Sequence, residues 1–293
     1  MKTLMTLLTG AALAGTMATA QANEIVVGGK GFTEQLILSS MTTQYLEELG
    51  YDVEKRAGMG STILRQAQVN GQVDLYWEYT GTSLITYNNV TEKLSPEETY
   101  QRVKKLDAEK GLVWLEPSDA NNTYALTMRA DDAKARDIET ISDLAETINN
   151  GETLTFASNA EFYAREDGLR PLQKTYDFQF GRPNIKRMDF GLTLPTLRDD
   201  QVDVSIAYST DGRIPAYNLV TLEDDKQFFP AYALTPVVRK DTLEANPKLD
   251  EQMNKLSALL NDDVMASLNA KVDVDKKSVE QVAENFLKKH DLL

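Results

Sequence analysis

Short apolar runs alternate with longer amphipathic stretches along most of this 293-residue chain. The short runs predict strands, and apolar residues that recur every three or four positions predict helices. The first helix is predicted from about Thr33 to Leu49, and Gly50 follows it as a C-cap glycine. Four apolar residues share one predicted buried face of this helix: Ile37, Met41, Tyr45 and Leu49.

The same pattern places the other elements in regular alternation. Strands are predicted at about residues 24–27, 51–55, 74–79, 112–115, 124–128, 154–157, 185–188, 202–207 and 232–239. A second helix is predicted to start within residues 58–62 and to end at residue 69. Further helices are predicted at about 96–110, 141–149, 162–176 and 192–198. From about residue 247 the pattern is purely helical. Such alternation predicts parallel sheets in an α/β fold.

The chain is long enough to predict two lobes. About 270 residues follow the N-terminal segment, which is more than one hydrophobic core usually supports. We expect lobe I to comprise residues 23–121 and 230–293, and lobe II to comprise residues 122–229. The chain would then cross between the lobes near 121–124 and 229–232 and form a hinge. Ligands of such folds bind beyond the carboxyl ends of strands and between domains.

The N-terminus has the order of a secretory signal. Lys2 precedes an uncharged apolar run at 4–17, which is too short to span a bilayer. Two overlapping small-x-small cleavage sites end at Ala20 and Ala22. We therefore expect a signal peptide at residues 1–22, a mature chain that starts near Asn23, and a periplasmic location.

Composition excludes several functional classes. The chain has no Cys and one His, His290, so Cys/His zinc sites and Cys/His catalysis are excluded. An all-carboxylate metal site stays an alternative, but acidic neighbours such as Asp199 and Asp200 predict solvated loop residues. The formal charge of -14 makes nucleic acid a poor partner. We expect no metal, no cofactor and no enzymatic activity.

A glycine-rich segment separates the first predicted strand from the first helix. Gly28-Gly29-Lys30-Gly31 lacks the spacing of a phosphate-binding loop and of the dinucleotide fingerprint. As a tight turn it would direct Lys30 and amide groups at the cleft, where an anion would be stabilised. An exposed lysine on a turn explains the spacing equally well.

Tyrosines mark the predicted strand ends and crossings. Four of the twelve tyrosines lie there: Tyr79, Tyr124, Tyr208 and Tyr232. Each one alone is compatible with an ordinary half-buried strand residue. Together they would form a site for a quaternary ammonium, which has no N–H to donate and binds aromatic faces at up to about 2 kcal/mol per ring.

Four segments resemble one known family. They are Gly29-Lys30-Gly31-Phe32-Thr33-Glu34, Glu78-Tyr79-Thr80-Gly81-Thr82, Asn122-Thr123-Tyr124-Ala125-Leu126 and Ala207-Tyr208-Ser209-Thr210-Asp211-Gly212. The chain is similar to the glycine betaine, choline and carnitine binding proteins of ABC importers, of the ProX and OsmF type. The resemblance extends over essentially the whole mature chain. It implies a type II periplasmic binding protein fold, in which two α/β lobes joined by a two-crossing hinge close on a ligand.

The resemblance also implies roles for particular residues. An aromatic cage around the trimethylammonium is implied for Tyr79, Tyr124, Tyr208 and Tyr232, with the main-chain carbonyl near Asn122. Contacts to the ligand carboxylate are implied for Lys30, Thr82 and Arg165. The implied partners are a small quaternary ammonium ligand and the permease subunits of an importer, and we expect a monomer. Asn122 stands where some relatives carry Asp.

Two cations at the implied site favour a ligand with a carboxylate. Glycine betaine would pair with Lys30 and Arg165, whereas choline would leave both buried cations without an anion. A choline, carnitine or broad-specificity binder is the alternative. Two other classes share the scaffold, regulator effector domains and extracellular enzymes. The signal peptide argues against the first, and the missing base and nucleophile argue against the second.

Overall fold

Two five-stranded sheets organise the chain. The computed structural model describes residues 24–293, so the predicted signal peptide lies outside the described residues. The strands are β1 (Ile25–Lys30), β2 (Val53–Met59), β3 (Leu75–Tyr79), β4 (Leu112–Trp114), β5 (Tyr124–Arg129), β6 (Phe156–Ser158), β7 (Ile185–Arg187), β8 (Val204–Tyr208), β9 (Leu219–Thr221) and β10 (Leu234–Arg239). The first sheet has the order β2-β1-β3-β10-β4, and the second has the order β7-β6-β8-β5-β9.

Both sheets are mixed, so the prediction of parallel sheets holds for only some of the strand pairs. Strand β1 pairs in parallel with β2 and β3, and β6 pairs in parallel with β7 and β8. In contrast, β10 is antiparallel to β3 and β4, and β5 is antiparallel to β8 and β9. Each antiparallel strand is the first that the chain forms after it passes from one sheet to the other. Consecutive parallel strands of one sheet are joined by a crossover connection, usually a helix. No such connection within a sheet leads into β5 or β10.

Helices complete the alternation. They are α1 (Thr33–Glu48), α2 (Ser61–Val69), α3 (Thr80–Thr82), α4 (Pro96–Ala108), α5 (Ala130–Ala135), α6 (Ile141–Asn149), α7 (Ala160–Ala164), α8 (Leu169–Tyr176), α9 (Phe190–Arg198), α10 (Arg213–Ala216), α11 (Lys240–Ala245), α12 (Leu249–Ser257), α13 (Asp262–Asp273) and α14 (Val279–Lys289). A π-helical turn (Ser83–Tyr87) continues α3, and a 3-10 turn (Arg182–Asn184) precedes β7. The predicted helical C-terminus is confirmed, and α13 and α14 pack against α1. Within residues 24–293, no helix combines the length and apolar character needed to cross a bilayer.

The predicted buried face of α1 is confirmed at three of its four positions. Ile37, Met41 and Tyr45 are buried, but Leu49 is 42% exposed. The helix ends at Glu48, so Leu49 has the spacing of the buried face but lies at the C-cap, beyond the last helical residue. Gly50 has a φ of 90°, the left-handed conformation expected of a glycine after a helix end.

Strand β1 runs further than the sequence predicts and includes Gly28, Gly29 and Lys30. Pairing with β2 continues along this stretch through an irregularity in the register between residues 28 and 30. A Cβ atom at Gly28 would lie 2.6 Å from Leu64 Cδ1 and 2.8 Å from Val73 Cγ1. The glycine therefore permits close packing of α2 on the strand. Lys30 is the last strand residue, not a turn residue.

The helix predicted over 162–176 is broken into α7 and α8. Arg165 has an extended backbone with φ −72° and ψ 157°, and it ends α7. A Cβ atom at Gly168 would lie 2.0 Å from the carbonyl oxygen of Phe162, so the tight break requires glycine. Because of this break, Arg165 lies in a loop. Its side chain reaches Thr82 in α3, which follows strand β3 of the first sheet.

Two segments connect the sheets. They comprise residues 115–123 and 222–233, and they bond to each other. The Asn122 amide donates to the Tyr232 carbonyl at 3.2 Å, and the Tyr232 amide donates to Asn121 Oδ1 at 2.7 Å. We call residues 25–114 with 234–293 the first-sheet part, and residues 124–221 the second-sheet part. The predicted lobe boundaries fall within the connecting segments, and the division into lobes stays a prediction.

A buried carboxylate anchors the segment that follows β3. Asp107 is fully buried, forms an ion pair with Arg65, and accepts hydrogen bonds from Trp114 Nε1 at 2.8 Å and Ser83 Oγ at 2.9 Å. Burial by itself would raise the pKa of Asp107, but the attraction of Arg65 and the donors outweigh it and hold the pKa below its ordinary value.

Replacing Asp107 by Asn is therefore expected to destabilise the fold by about 3 kcal/mol at neutral pH, because Arg65 loses its buried partner. The folded pKa is lowered, so this stabilisation is present above the unfolded pKa and is lost as the pH falls through the lower folded value. Urea unfolding measures the change. Glu244→Gln, at an exposed pair with Lys240, is the control and should cost less than about 1 kcal/mol. Equal effects of the two variants would contradict the assignment.

Candidate functional site

One small cavity brings all eight predicted site residues together. They are Lys30, Tyr79, Thr82, Asn122, Tyr124, Arg165, Tyr208 and Tyr232. Three further residues line the cavity and were not predicted as site residues: Phe32, Ser61 and Glu161. Phe32 lies in one of the segments that carry the resemblance, Ser61 lies in the predicted helix start at 58–62, and no sequence signal singles out Glu161.

The strand order explains why distant residues meet. Lys30, Tyr79 and Tyr208 are the last residues of β1, β3 and β8. Tyr124 begins β5, and it lies opposite Tyr208 because the two strands are antiparallel. Tyr232 and Asn122 belong to the connecting segments. The site therefore receives residues from both sheets and from the segments between them.

The aromatic rings of the site contact one another. The Tyr124 ring centroid lies 5.1 Å from that of Tyr208 and 5.7 Å from that of Tyr232, which is edge-on. Phe32 lies 5.0 Å from Tyr208. The space between the side chains is about 10 Å³, which is room for roughly one water molecule. A molecule larger than water can enter only if the rings and the two parts of the chain separate.

The four tyrosines are neutral, and the hydroxyls of Tyr79 and Tyr232 donate hydrogen bonds to buried carboxylates. Burial raises the pKa of Tyr124 to about 12, and it raises the pKa values of Tyr79, Tyr208 and Tyr232 well above the ordinary tyrosine value. The Tyr232 hydroxyl donates to Asp167 at 2.5 Å. These bonds hold the ring planes in place and leave the ring faces for apolar or cationic groups.

Both site cations have carboxylate partners within the protein. Lys30 Nζ lies 2.5 Å from Glu78 Oε1, and Arg165 binds Asp167 through Nε and Nη2, each at 2.6 Å. Arg165 Nη2 also donates to Thr82 Oγ1 at 3.3 Å and so joins the two parts of the chain.

The same cations lie against aromatic rings. Lys30 Nζ is 4.8 Å from the Tyr79 centroid, and Arg165 Cζ is 5.5 Å from the Tyr124 centroid. Burial lowers the pKa of Lys30, and Glu78 opposes that shift. Two rings of the site therefore already make cation–π contacts with protein cations.

Comparison with known proteins places the chain in a family. Residues 23–289 match the substrate-binding domain of the ABC-type glycine betaine transport system. The chain belongs to this family. The glycine-betaine-binding protein of Pseudomonas aeruginosa is 44% identical over 280 residues, which cover 94% of this chain and 90% of that protein. The family consists of transport substrate-binding proteins and not of enzymes.

Other relatives agree in fold and length. The carnitine transport binding protein OpuCC of Listeria monocytogenes is 35% identical over 272 residues, covering 91% of this chain and 87% of that protein. A crystal structure described as a glycine betaine/carnitine/choline ABC transporter has a TM-score of 0.75 and 31% identity, covering 92% of this chain and 99% of that chain. The resemblance and the type II periplasmic binding protein fold are confirmed.

Lys30 and Arg165 are not bare cations in the absence of a ligand carboxylate, so the expectation that choline leaves them without an anion is wrong. Each cation instead has a carboxylate of the chain at 2.6 Å or less, Glu78 and Asp167 respectively. The partner of Lys30 is 48 positions away in the sequence, and no periodic pattern predicts such a pair. The two cations alone therefore do not exclude choline.

Glu161 lines the cavity and joins the two parts of the chain. Its Oε1 accepts from the Ser61 amide at 3.1 Å, and its Oε2 accepts from Ser61 Oγ at 3.0 Å. Ser61 is the first residue of α2, and no side chain at the N-cap residue Gly60 caps that helix. A carboxylate from the second-sheet part thus satisfies the helix N-terminus of the first-sheet part.

Proposed function

We propose that the chain is the periplasmic binding protein of an ABC importer, and that it delivers glycine betaine or a related carboxylated quaternary ammonium osmolyte to the permease. One observation carries the proposal. Four tyrosines, two cations and Thr82 converge on a single cavity between the two parts of the chain. Aromatic faces bind a quaternary ammonium, because that group has no N–H to donate.

The two ends of the ligand would meet different residues. The trimethylammonium would lie among Tyr79, Tyr124, Tyr208 and Tyr232, with the main-chain carbonyl near Asn122. The carboxylate would lie against Lys30, Thr82 and Arg165. Both cations already hold protein carboxylates, so the ligand carboxylate would add a second anion to each of them and would not neutralise a bare charge.

Ligand binding would favour the closed arrangement. We propose that residues 23–121 with 230–293 and residues 122–229 act as two lobes about the connecting segments. Contacts such as Arg165 with Thr82 and Glu161 with Ser61 join these lobes. A ligand that touches both lobes stabilises the closed form over the open form. The permease would recognise the closed surface, and no covalent bond would form or break.

Choline is the second candidate ligand, because both site cations have protein partners. Because protein carboxylates already neutralise the site cations, a ligand without a carboxylate leaves no unpaired buried cation and binds at little extra cost in free energy. A broad binder of choline, carnitine and betaines follows from the same pairing.

Titration calorimetry of the mature chain with glycine betaine, choline, carnitine and glycine tests the proposed function. We expect micromolar binding of at least glycine betaine, about 8 kcal/mol, and no detectable binding of glycine, which lacks the methyl groups. Binding of glycine as tightly as glycine betaine would contradict a cage for quaternary ammonium, and so would no binding of any quaternary ligand.

A further inference from the structure

Behind the cage lies a buried carboxylate that none of the roles above uses. Glu34, in the first turn of α1, is 2% exposed. Its carboxylate accepts four hydrogen bonds: from Tyr79 Oη at 2.8 Å, Asn122 Nδ2 at 2.7 Å, Thr210 Oγ1 at 2.6 Å and Asn269 Nδ2 at 3.2 Å. Every donor is neutral, so the charge of Glu34 is solvated by the protein without being neutralised.

The lack of a cation distinguishes Glu34 from Glu78 and Asp167, the carboxylates that pair with the two site cations, and the four side-chain donors distinguish it from Glu161, which among the described residues bonds only Ser61. Glu78 holds Lys30 and Asp167 holds Arg165. No Lys, Arg or His nitrogen within residues 24–293 forms a salt bridge with Glu34. A buried carboxylate without a cation is costly even with good hydrogen bonds, and burial raises its pKa accordingly. A cation that arrives in the cage would stabilise it.

Two of the four donors are themselves cage residues. The ring of Tyr79 and the side chain of Asn122 line the cavity while their polar ends donate to Glu34. A phenol that donates to a carboxylate gains electron density in its ring, which strengthens attraction to a cation on the ring face. Glu34 thus acts on the cage both through its charge and through the orientation of Tyr79.

The third donor comes from the other part of the chain. Thr210 follows Tyr208 by two residues in the second-sheet part, whereas Glu34 and Asn269 belong to the first-sheet part. The Thr210 bond therefore forms when the two parts come together. Asn269 also donates to the Thr210 carbonyl at 3.0 Å, which holds that segment in place.

We propose that Glu34 is the buried counter-charge of the ammonium cage and the residue that positions Tyr79 and Asn122 within it. The cage then selects its ligand for positive charge at the trimethyl end and not for shape alone. The inference rests on the proposed function. It makes Glu34 a determinant of specificity that acts through Tyr79 and Asn122 and does not itself contact the ligand.

The test separates charge from shape with two probes, glycine betaine and 3,3-dimethylbutanoate, in which carbon replaces the quaternary nitrogen. The unaltered chain should prefer glycine betaine. In Glu34→Gln we expect the preference to fall by roughly tenfold or more, because affinity for the cation drops while affinity for the carbon isostere does not. A preference that is the same in Glu34→Gln and in the unaltered chain overturns the proposal.

Two further variants control for structural damage. Thr210→Val removes one donor and keeps the charge, so both probes should weaken by the same factor and the preference should stay within about threefold. Glu34→Asp keeps the charge and should keep the preference even where both affinities fall. Loss of the preference in Glu34→Asp would overturn the proposal. This outcome decides the test even if thermal unfolding shows that Glu34→Gln does not fold. If the unaltered chain binds neither probe, the proposed function fails, and not the role of Glu34 alone.

Discussion

Replacement of Tyr124 by Leu is expected to weaken binding of glycine betaine by roughly thirtyfold, which corresponds to about 2 kcal/mol for one aromatic face in a site closed to water. Tyr124 is central to the cage, because its ring lies beside those of Tyr208 and Tyr232 and beside the Arg165 guanidinium. Leu fills much of the same apolar space without a π face. Titration calorimetry at one temperature measures the change.

Tyr124→Phe is the matched control. It keeps the ring, and among the hydrogen bonds of the described residues none is donated by the Tyr124 hydroxyl. Binding should therefore stay within about threefold of that of the unaltered chain. If Phe costs as much as Leu, the hydroxyl and not the ring face carries the affinity. If Leu costs nothing, Tyr124 does not contact the ammonium.

Replacement of Arg165 by Ala is expected to weaken glycine betaine by at least about tenfold while choline binds as well as before or better. A charged hydrogen bond to the ligand carboxylate contributes roughly 1.5 to 3 kcal/mol. The variant also removes the cation that pairs with Asp167, which keeps only the hydrogen bond from the Tyr232 hydroxyl. The negative charge that Asp167 then presents near the cage favours a ligand whose net charge is positive.

Arg198→Ala is the control, because Arg198 is exposed and pairs with Asp199 away from the cavity. Neither ligand should respond to it. An equal loss of glycine betaine and choline in Arg165→Ala would contradict the role of Arg165 with the carboxylate. It would indicate instead that the variant damages the cage, through the ring of Tyr124 or through Asp167.

Much of the fold follows from periodicity and turn residues. Strand ends are local features, and tyrosines at the strand ends of the two sheets converge because those ends face the space between the two parts of the chain. Tyr79, Tyr124 and Tyr208 line one cavity for this reason. The direction of β5 and β10 did not follow, because it depends on how the chain passes between the sheets and not on the residues of those strands.

Long-range pairs explain what sequence reasoning missed. Glu161 caps the helix at Ser61 from 100 positions away, and Thr210 reaches Glu34 from 176 positions away. No periodic pattern relates such residues, so their partnership is visible only after folding. The break before α8 is of another kind. Gly168 is visible in the sequence within the predicted helix 162–176, but its contact with the Phe162 carbonyl, which requires a glycine there, is visible only in the structure.

The position of a bound quaternary ammonium tests the central claim most directly. A crystal structure of the mature chain grown with glycine betaine should place the nitrogen within about 6 Å of the centroids of Tyr79, Tyr124, Tyr208 and Tyr232. The ligand carboxylate should lie on the side of Arg165. Glycine betaine bound at another place, with the four rings still in mutual contact, would contradict the assignment of the cage.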